Sequence, residues 1–200
     1  MGWMTMGFFL NIVSVHICKS MKKILYPMVI LLLAMLISCN KENRVIEEVK
    51  RLQGANISFI DGYKYDCPDS SLSESACLQS KIKMISYWED FSCTPCACKV
   101  LLKWEQSFRE KIGPDVKYVF IVNSKKNIEL ISELRKSGFS LPILSYSDKS
   151  FGTVNKLNVL ARNKTFLLDD NNRIVVVGEP FGNDKLWDVY IEAIKVLRNN

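Results

Sequence analysis

The chain has 200 residues, 48% of them apolar, and 27 lysines and arginines against 21 acids, a formal net charge of +6. That apolar share is enough to bury a core, and the charge excess is mild and spread out, so nothing points to nucleic acid. Its one histidine, His16, lies in an N-terminal stretch set aside below; without it neither a Ser-His-Asp or Cys-His nucleophile nor a His-ligated zinc or iron site is possible.

Met21-Lys22-Lys23 is a short basic flank, and residues 24–37 are apolar apart from Tyr26 and Pro27. This run is too short to span a bilayer comfortably and reads as a secretory signal ending at Leu36-Ile37-Ser38-Cys39. Residues 1–20 fit no such signal, and a start at Met21 fits better. Removing Lys19, Lys22 and Lys23 with the leader leaves 24 − 21 = +3. The expected organisation is an over-long start (1–20), a signal (21–38), a tether with a short amphipathic helix (39–55) and one folded domain (56–200).

Within the domain, residues 56–60 alternate and predict a strand, with Asp61-Gly62 as its turn. Residues 63–80 are polar and read as a loop with a short helix near its end. Residues 83–88 predict a strand. Residues 95–112 predict a helix with Val100, Leu101, Trp104 and Phe108 on one face and Gly113-Pro114 as its stop. The apolar run 116–122 predicts a strand covered on both faces. A helix capped by Asn127 runs to Ser137, followed by a short strand over 142–146 and a helical turn over 151–157. Strands over 165–168 and 174–177 flank a hairpin turn at Asp169-Asp170-Asn171-Asn172. The last helix, 183–197, carries a stripe of Leu186, Val189, Tyr190, Ala193, Ile194 and Leu197. From residue 81 the order is β-α-β-α-β-β-α, which implies parallel pairing first and an antiparallel part last.

Cys93-Thr94-Pro95-Cys96 stands where a strand gives way to a helix. Unpaired N–H groups at a helix start favour an anion, and the thiolate is the nucleophile of disulfide exchange. The same spacing also suits a permanently closed structural disulfide. Cys98 makes the motif Cys-x-x-Cys-x-Cys, and three thiolates could hold Cu(I) or zinc. On a helix, though, Cys98 turns about 200° from Cys96, so a small buried side chain is its default role. Cys67 and Cys77 lie ten positions apart, and in an oxidising compartment they read as a local disulfide; a relay of electrons to Cys93 is the more active alternative. Glu89 and Asp90 could tune the pair. Residues 178–182, Gly-Glu-Pro-Phe-Gly, form a loop and not a phosphate cradle.

Two resemblances follow from these residues. The basic flank, apolar run and Leu-Ile-Ser-Cys ending resemble the lipobox of bacterial lipoproteins. That family implies cleavage before Cys39, a diacylglycerol on its sulfur, and a place on a membrane of the cell envelope, facing the periplasm or exterior. Tyr87-Trp88 followed by the Cys pair, the element order, and Lys164-Thr165-Phe166-Leu167-Leu168-Asp169 resemble the thioredoxin-like fold, in particular its exported TlpA-type branch. This implies a three-layer α/β fold with a mixed central sheet and flanking helices. It also implies an exposed nucleophile at Cys93, a resolving thiol at Cys96 buried one turn inside the helix, no cofactor, and envelope proteins bearing thiols or disulfides as partners. Asn163 stands where that family has a cis-proline. A non-catalytic module of the same fold, with its cysteines as staples, is the alternative expectation. A peroxidase needs a Thr-x-x-Cys pocket, which Thr94, adjacent to Cys93, does not supply; a copper or zinc chaperone would use the three clustered cysteines.

Overall fold

The computed structural model describes residues 45–89, 93–124, 126–148, 150–157 and 163–199. The expected start, leader and lipid-bearing Cys39 fall in residues 1–44, and Asp90 in 90–92, so they lie outside the described residues. The chain divides into two compact units, Met1–Glu47 and Glu48–Asn200. Of the first, only the helical residues 45–47 are described. Among the described residues no helix is long and apolar enough to cross a membrane.

The elements in chain order are α1 (residues 45–52), β1 (Tyr63–Asp66), α2 (Glu74–Leu78), β2 (Lys83–Glu89), α3 (Thr94–Lys111), β3 (Lys117–Asn123), α4 (Asn127–Lys136), β4 (Ile143–Tyr146), α5 (Ser150–Val154), β5 (Asn163–Leu168), β6 (Ile174–Val177) and α6 (Asp184–Arg198). They build one six-stranded sheet in the order β1-β4-β3-β2-β5-β6. β2, β3 and β4 are parallel. β5 lies antiparallel on β2, β6 antiparallel on β5, and β1 antiparallel on β4.

The near-continuous apolar runs of β2 and β3 reflect cover on both faces. Met84, Trp88, Tyr118, Phe120 and Val122 pack with α3, α4 and α6, while Ile85, Tyr87, Val119 and Ile121 pack with Leu52, Phe151 and Leu157. A strand–helix–strand–helix half with parallel strands, then an antiparallel pair and a closing helix, gives the expected three-layer arrangement: the fold is thioredoxin-like. Parallel strands place their carboxyl ends at one pole. The turn from β2 into α3, which carries the Cys pair, sits there.

Four local expectations are corrected. Residues 56–60 do not form a strand. Asn56 makes a single bridge to Arg173, and the Asn155 side chain then captures both the N–H and the C=O of Ser58, at 2.7 and 3.0 Å. That takes the backbone groups a ladder would have used. Residues 63–66, expected in a loop, are the edge strand β1, which needs only four residues opposite β4. Asn127 does not cap α4: the cap residue is Lys126, without a side-chain bond, because the Asn127 amide donates instead to the Tyr146 C=O at 2.6 Å. Val100 and Val189, expected on buried stripes, are exposed, and Trp187 fills the core instead.

The sheet is also tied laterally. Lys164 of β5 meets Glu48 of α1 at 3.0 Å, with both side chains under a tenth exposed. Arg135 of α4 donates to the Asp66 carboxylate at 2.5 Å, and to the backbone oxygens of Asp66, Phe139 and Leu141.

Candidate functional site

Cys93 is the N-cap of α3, with extended backbone angles φ −138° and ψ 106°. Pro95 falls in the first turn, where a missing N–H costs nothing because no partner exists there. The Cys93 C=O accepts from Ala97 N at 3.0 Å, and its sulfur accepts from Cys96 N at 3.4 Å. Cys93 and Cys96 are joined as a disulfide, with 5.4 Å between their Cα atoms. The sulfur thus sits on a first-turn N–H at the positive end of an 18-residue helix, where negative charge is favoured.

The exposure of the two sulfur-bearing residues reverses the order the resemblance implied. Cys93 is half-buried and Cys96 is exposed. The reason is helical phase. The stripe turned into the core is Thr94, Ala97, Cys98, Leu101, Trp104, Glu105 and Phe108, so a 100° step per residue leaves Pro95, Cys96 and Lys99 outside. Cys98, 6% exposed, is a free thiol packed in the same core as Leu130 and Leu134 of α4. Burial, then the Glu133 charge, pushes its pKa up. Cys96 and Cys98 therefore point to opposite sides of the helix, and the three sulfurs do not converge.

β2 and β5 run side by side at the end of the sheet where α3 begins. Trp88 is 6% exposed and meets Phe120 edge-on; the carboxyl end of β2, Glu89, lies opposite Asn123. Asn163 pairs with Trp88, so the position of the family's proline sits at the Cys-pair end of the sheet. The Trp88 Nε1 and Thr94 Oγ1 atoms are buried and have no hydrogen-bond partner among the described residues.

A second polar group under α3 escaped the sequence reading. Glu179, in the loop before α6, accepts from Trp104 Nε1, and from Thr165 Oγ1 at 2.9 Å. Thr165 in turn shares a 2.6 Å hydrogen bond with Ser86 of β2. Ser86 is two positions before Trp88 and so on the same face of the sheet. Burial raises the Glu179 pKa above its ordinary value, against the pull of its hydrogen bonds. Nothing marks this in sequence: a glutamate between Gly178 and Pro180 has no periodicity to announce that it turns inward.

Cys67 and Cys77 are both free thiols, half-buried and buried respectively. The Cys77 sulfur lies 3.6 Å from the Tyr65 hydroxyl, which donates to the Leu72 C=O at 2.6 Å. Burial, and then hydrogen bonding to Cys77 and Cys67, pushes the Tyr65 phenol up.

Comparison with solved structures returns thioredoxin-like folds at low identity. The thiol:disulfide interchange protein DsbE of Chlorobium tepidum is 12% identical, with a TM-score of 0.48, over 70% of this chain and 96% of that one. The thioredoxin domain of a thiol-disulfide oxidoreductase of Bacteroides vulgatus is 11% identical, with a TM-score of 0.46 and the same coverage. The bacterioferritin comigratory protein of Xanthomonas campestris is 16% identical, with a TM-score of 0.45, over 66% and 88%. No family model and no curated protein matches the chain.

Proposed function

We propose that this chain is an exported, lipid-anchored thiol-disulfide oxidoreductase that exchanges disulfides with proteins of the bacterial cell envelope through Cys93 and Cys96. The observation that carries the reading is the pair closed at the head of α3, with the Cys93 sulfur on the Cys96 N–H. In the reduced form the Cys93 thiolate attacks one sulfur of a partner disulfide. A mixed disulfide forms and the partner's other sulfur leaves as thiolate. Cys96 then gives up its proton and attacks the Cys93 sulfur, which closes the ring and frees the partner's second thiolate. Two electrons pass to the partner, and the reverse sequence oxidises it. The lipid on Cys39 would hold the domain to a membrane face outside the cytoplasm, with residues 40–48 as spacer; labelling with palmitate, lost in Cys39→Ser, tests that part.

The exchange itself is tested by trapping. In Cys96→Ala the mixed disulfide has no thiol to resolve it, so partner proteins should accumulate on Cys93. Cys93→Ala should trap far fewer, because Cys96 is more exposed but lacks the place at the helix head. Equal trapping by both variants would mean that exposure, not the helix field, selects the nucleophile. The alternative is a module that keeps the fold without the exchange, favoured by Asn163 in the place of the family's proline. A redox titration separates the two. An exchange pair equilibrates between about −120 and −270 mV, whereas a structural disulfide resists reduction to below about −300 mV.

A further inference from the structure

We propose that Cys67 and Cys77 form a second redox site, a dithiol that closes to an intramolecular disulfide on reaction with a low-molecular-weight disulfide, independently of Cys93 and Cys96. The inference goes beyond the exchange reading and does not depend on it. Three observations carry it. First, both cysteines flank the same tyrosine. Cys67 directly follows β1, two residues beyond Tyr65, and both cysteines act on the Tyr65 phenol; the Cys77 sulfur, on α2, lies 3.6 Å from its hydroxyl. That hydroxyl gives its own proton to the Leu72 C=O, so toward the Cys77 thiol it is the acceptor. Second, the two residues differ in access as an attacking and a resolving thiol must: Cys67 is half-buried and Cys77 is fully buried. Third, Cys77 borders a cavity and is not packed on every side. It lines a cavity of about 300 Å³ with Leu72, Phe108, Ile112, Lys117 and Tyr118.

The same cavity fixes where this site lies. Phe108 and Ile112 are at the carboxyl end of α3, whereas Cys93 caps its start. Eighteen residues of helix span roughly 27 Å at about 1.5 Å per residue. Direct sulfur-to-sulfur transfer between the two sites of one molecule is therefore excluded, and the second site does not relay electrons to the first. The reaction balances as two exchanges. The Cys67 thiolate attacks the small disulfide, one half of which leaves as thiolate. Cys77 then loses its proton and attacks the Cys67 sulfur, and the other half leaves. The small disulfide gains two electrons and the two protons; the chain gains one S–S bond that ties the end of β1 to α2.

The site is open to a direct test with oxidised glutathione on the fully reduced chain. Trypsin cuts after Lys64 and Lys81, so residues 65–81 form one peptide that holds Cys67 and Cys77 and no other cysteine. Closure appears as that peptide lighter by two hydrogens and refractory to alkylation. It is expected in the wild-type chain and at the same rate in the Cys93→Ser/Cys96→Ser variant. Cys67→Ser should abolish it while leaving far-ultraviolet circular dichroism and exchange through Cys93 unchanged. The proposal fails if the peptide keeps two alkylatable thiols under conditions that close Cys93–Cys96. It fails equally if closure requires Cys93, or if glutathione stays on Cys67 without being displaced.

Discussion

Replacing Glu179 by glutamine isolates the charge of a carboxylate held under α3. Its Oε1 accepts from Trp104 and, at 3.4 Å, from Phe181 N; its Oε2 accepts from Thr165. Burial outweighs these bonds and raises its pKa above the ordinary 4.5. The folded chain therefore holds this proton more tightly than the unfolded chain does. The associated stability is complete below pH 4.5 and is lost as pH rises through the folded value. One proton is involved, so the slope cannot exceed about 1.4 kcal/mol per pH unit. Glutamine keeps an oxygen for Trp104 and presents an amide N–H to Thr165. The Thr165 hydroxyl then donates to Ser86, and either member of that pair can be the donor. In urea unfolding across the acid-to-neutral range, Glu179→Gln should match the wild type at low pH. It should then gain on the wild type as pH rises, by at most about 1.4 kcal/mol per unit, until the difference levels off. Asp69 and Asp115, whose pKa values are lowered by hydrogen bonds to Ser71 and Arg198, cancel in that difference. A flat difference would show that the site does not favour the protonated form, and a variant that loses on the wild type as pH rises would show that it prefers the ionised carboxylate; either result would make the burial argument wrong.

Trp104 is 1% exposed and touches the rings of Phe108, Tyr118 and Trp187; Trp104→Ala should cost about 3–5 kcal/mol in urea unfolding, and a cost under about 1 kcal/mol would deny it a central place in the core. Arg135→Ala leaves the backbone oxygens of Asp66, Phe139 and Leu141 without their donor and should cost about 2–3 kcal/mol. Asp66→Asn, at a side chain 43% exposed, should cost less than about 1 kcal/mol. Equal costs would mean that the ion pair, not the backbone anchoring, is what Arg135 supplies.

The strands and long helices were legible because their patterns are local. Apolar runs at 83–88 and 116–122 became β2 and β3, and the Gly113-Pro114 stop ends α3 within two residues of its observed end. Three of the misses share a cause. The Ser58 backbone is taken by an amide 97 residues away, β1 exists because β4 offers it an edge, and Asn127 turns to Tyr146 instead of its own helix. None of these partners is near in the chain, so no window of sequence contains both halves of the interaction.

The chemistry divides in the same way. Two cysteines three apart at a strand-to-helix junction determine that a sulfur meets a helix start, because helix geometry alone brings the Cys93 sulfur to the Cys96 N–H. Which sulfur faces water was decided by packing: the core claims Thr94, Ala97 and Cys98, and the phase of the helix leaves Cys96 outside. Tertiary contact alone also brings Cys77 to the Tyr65 hydroxyl and sinks Glu179 beneath α3. Spacing along a chain prescribes what neighbours in sequence can do to each other; desolvation and long-range hydrogen bonds exist only once distant segments have met.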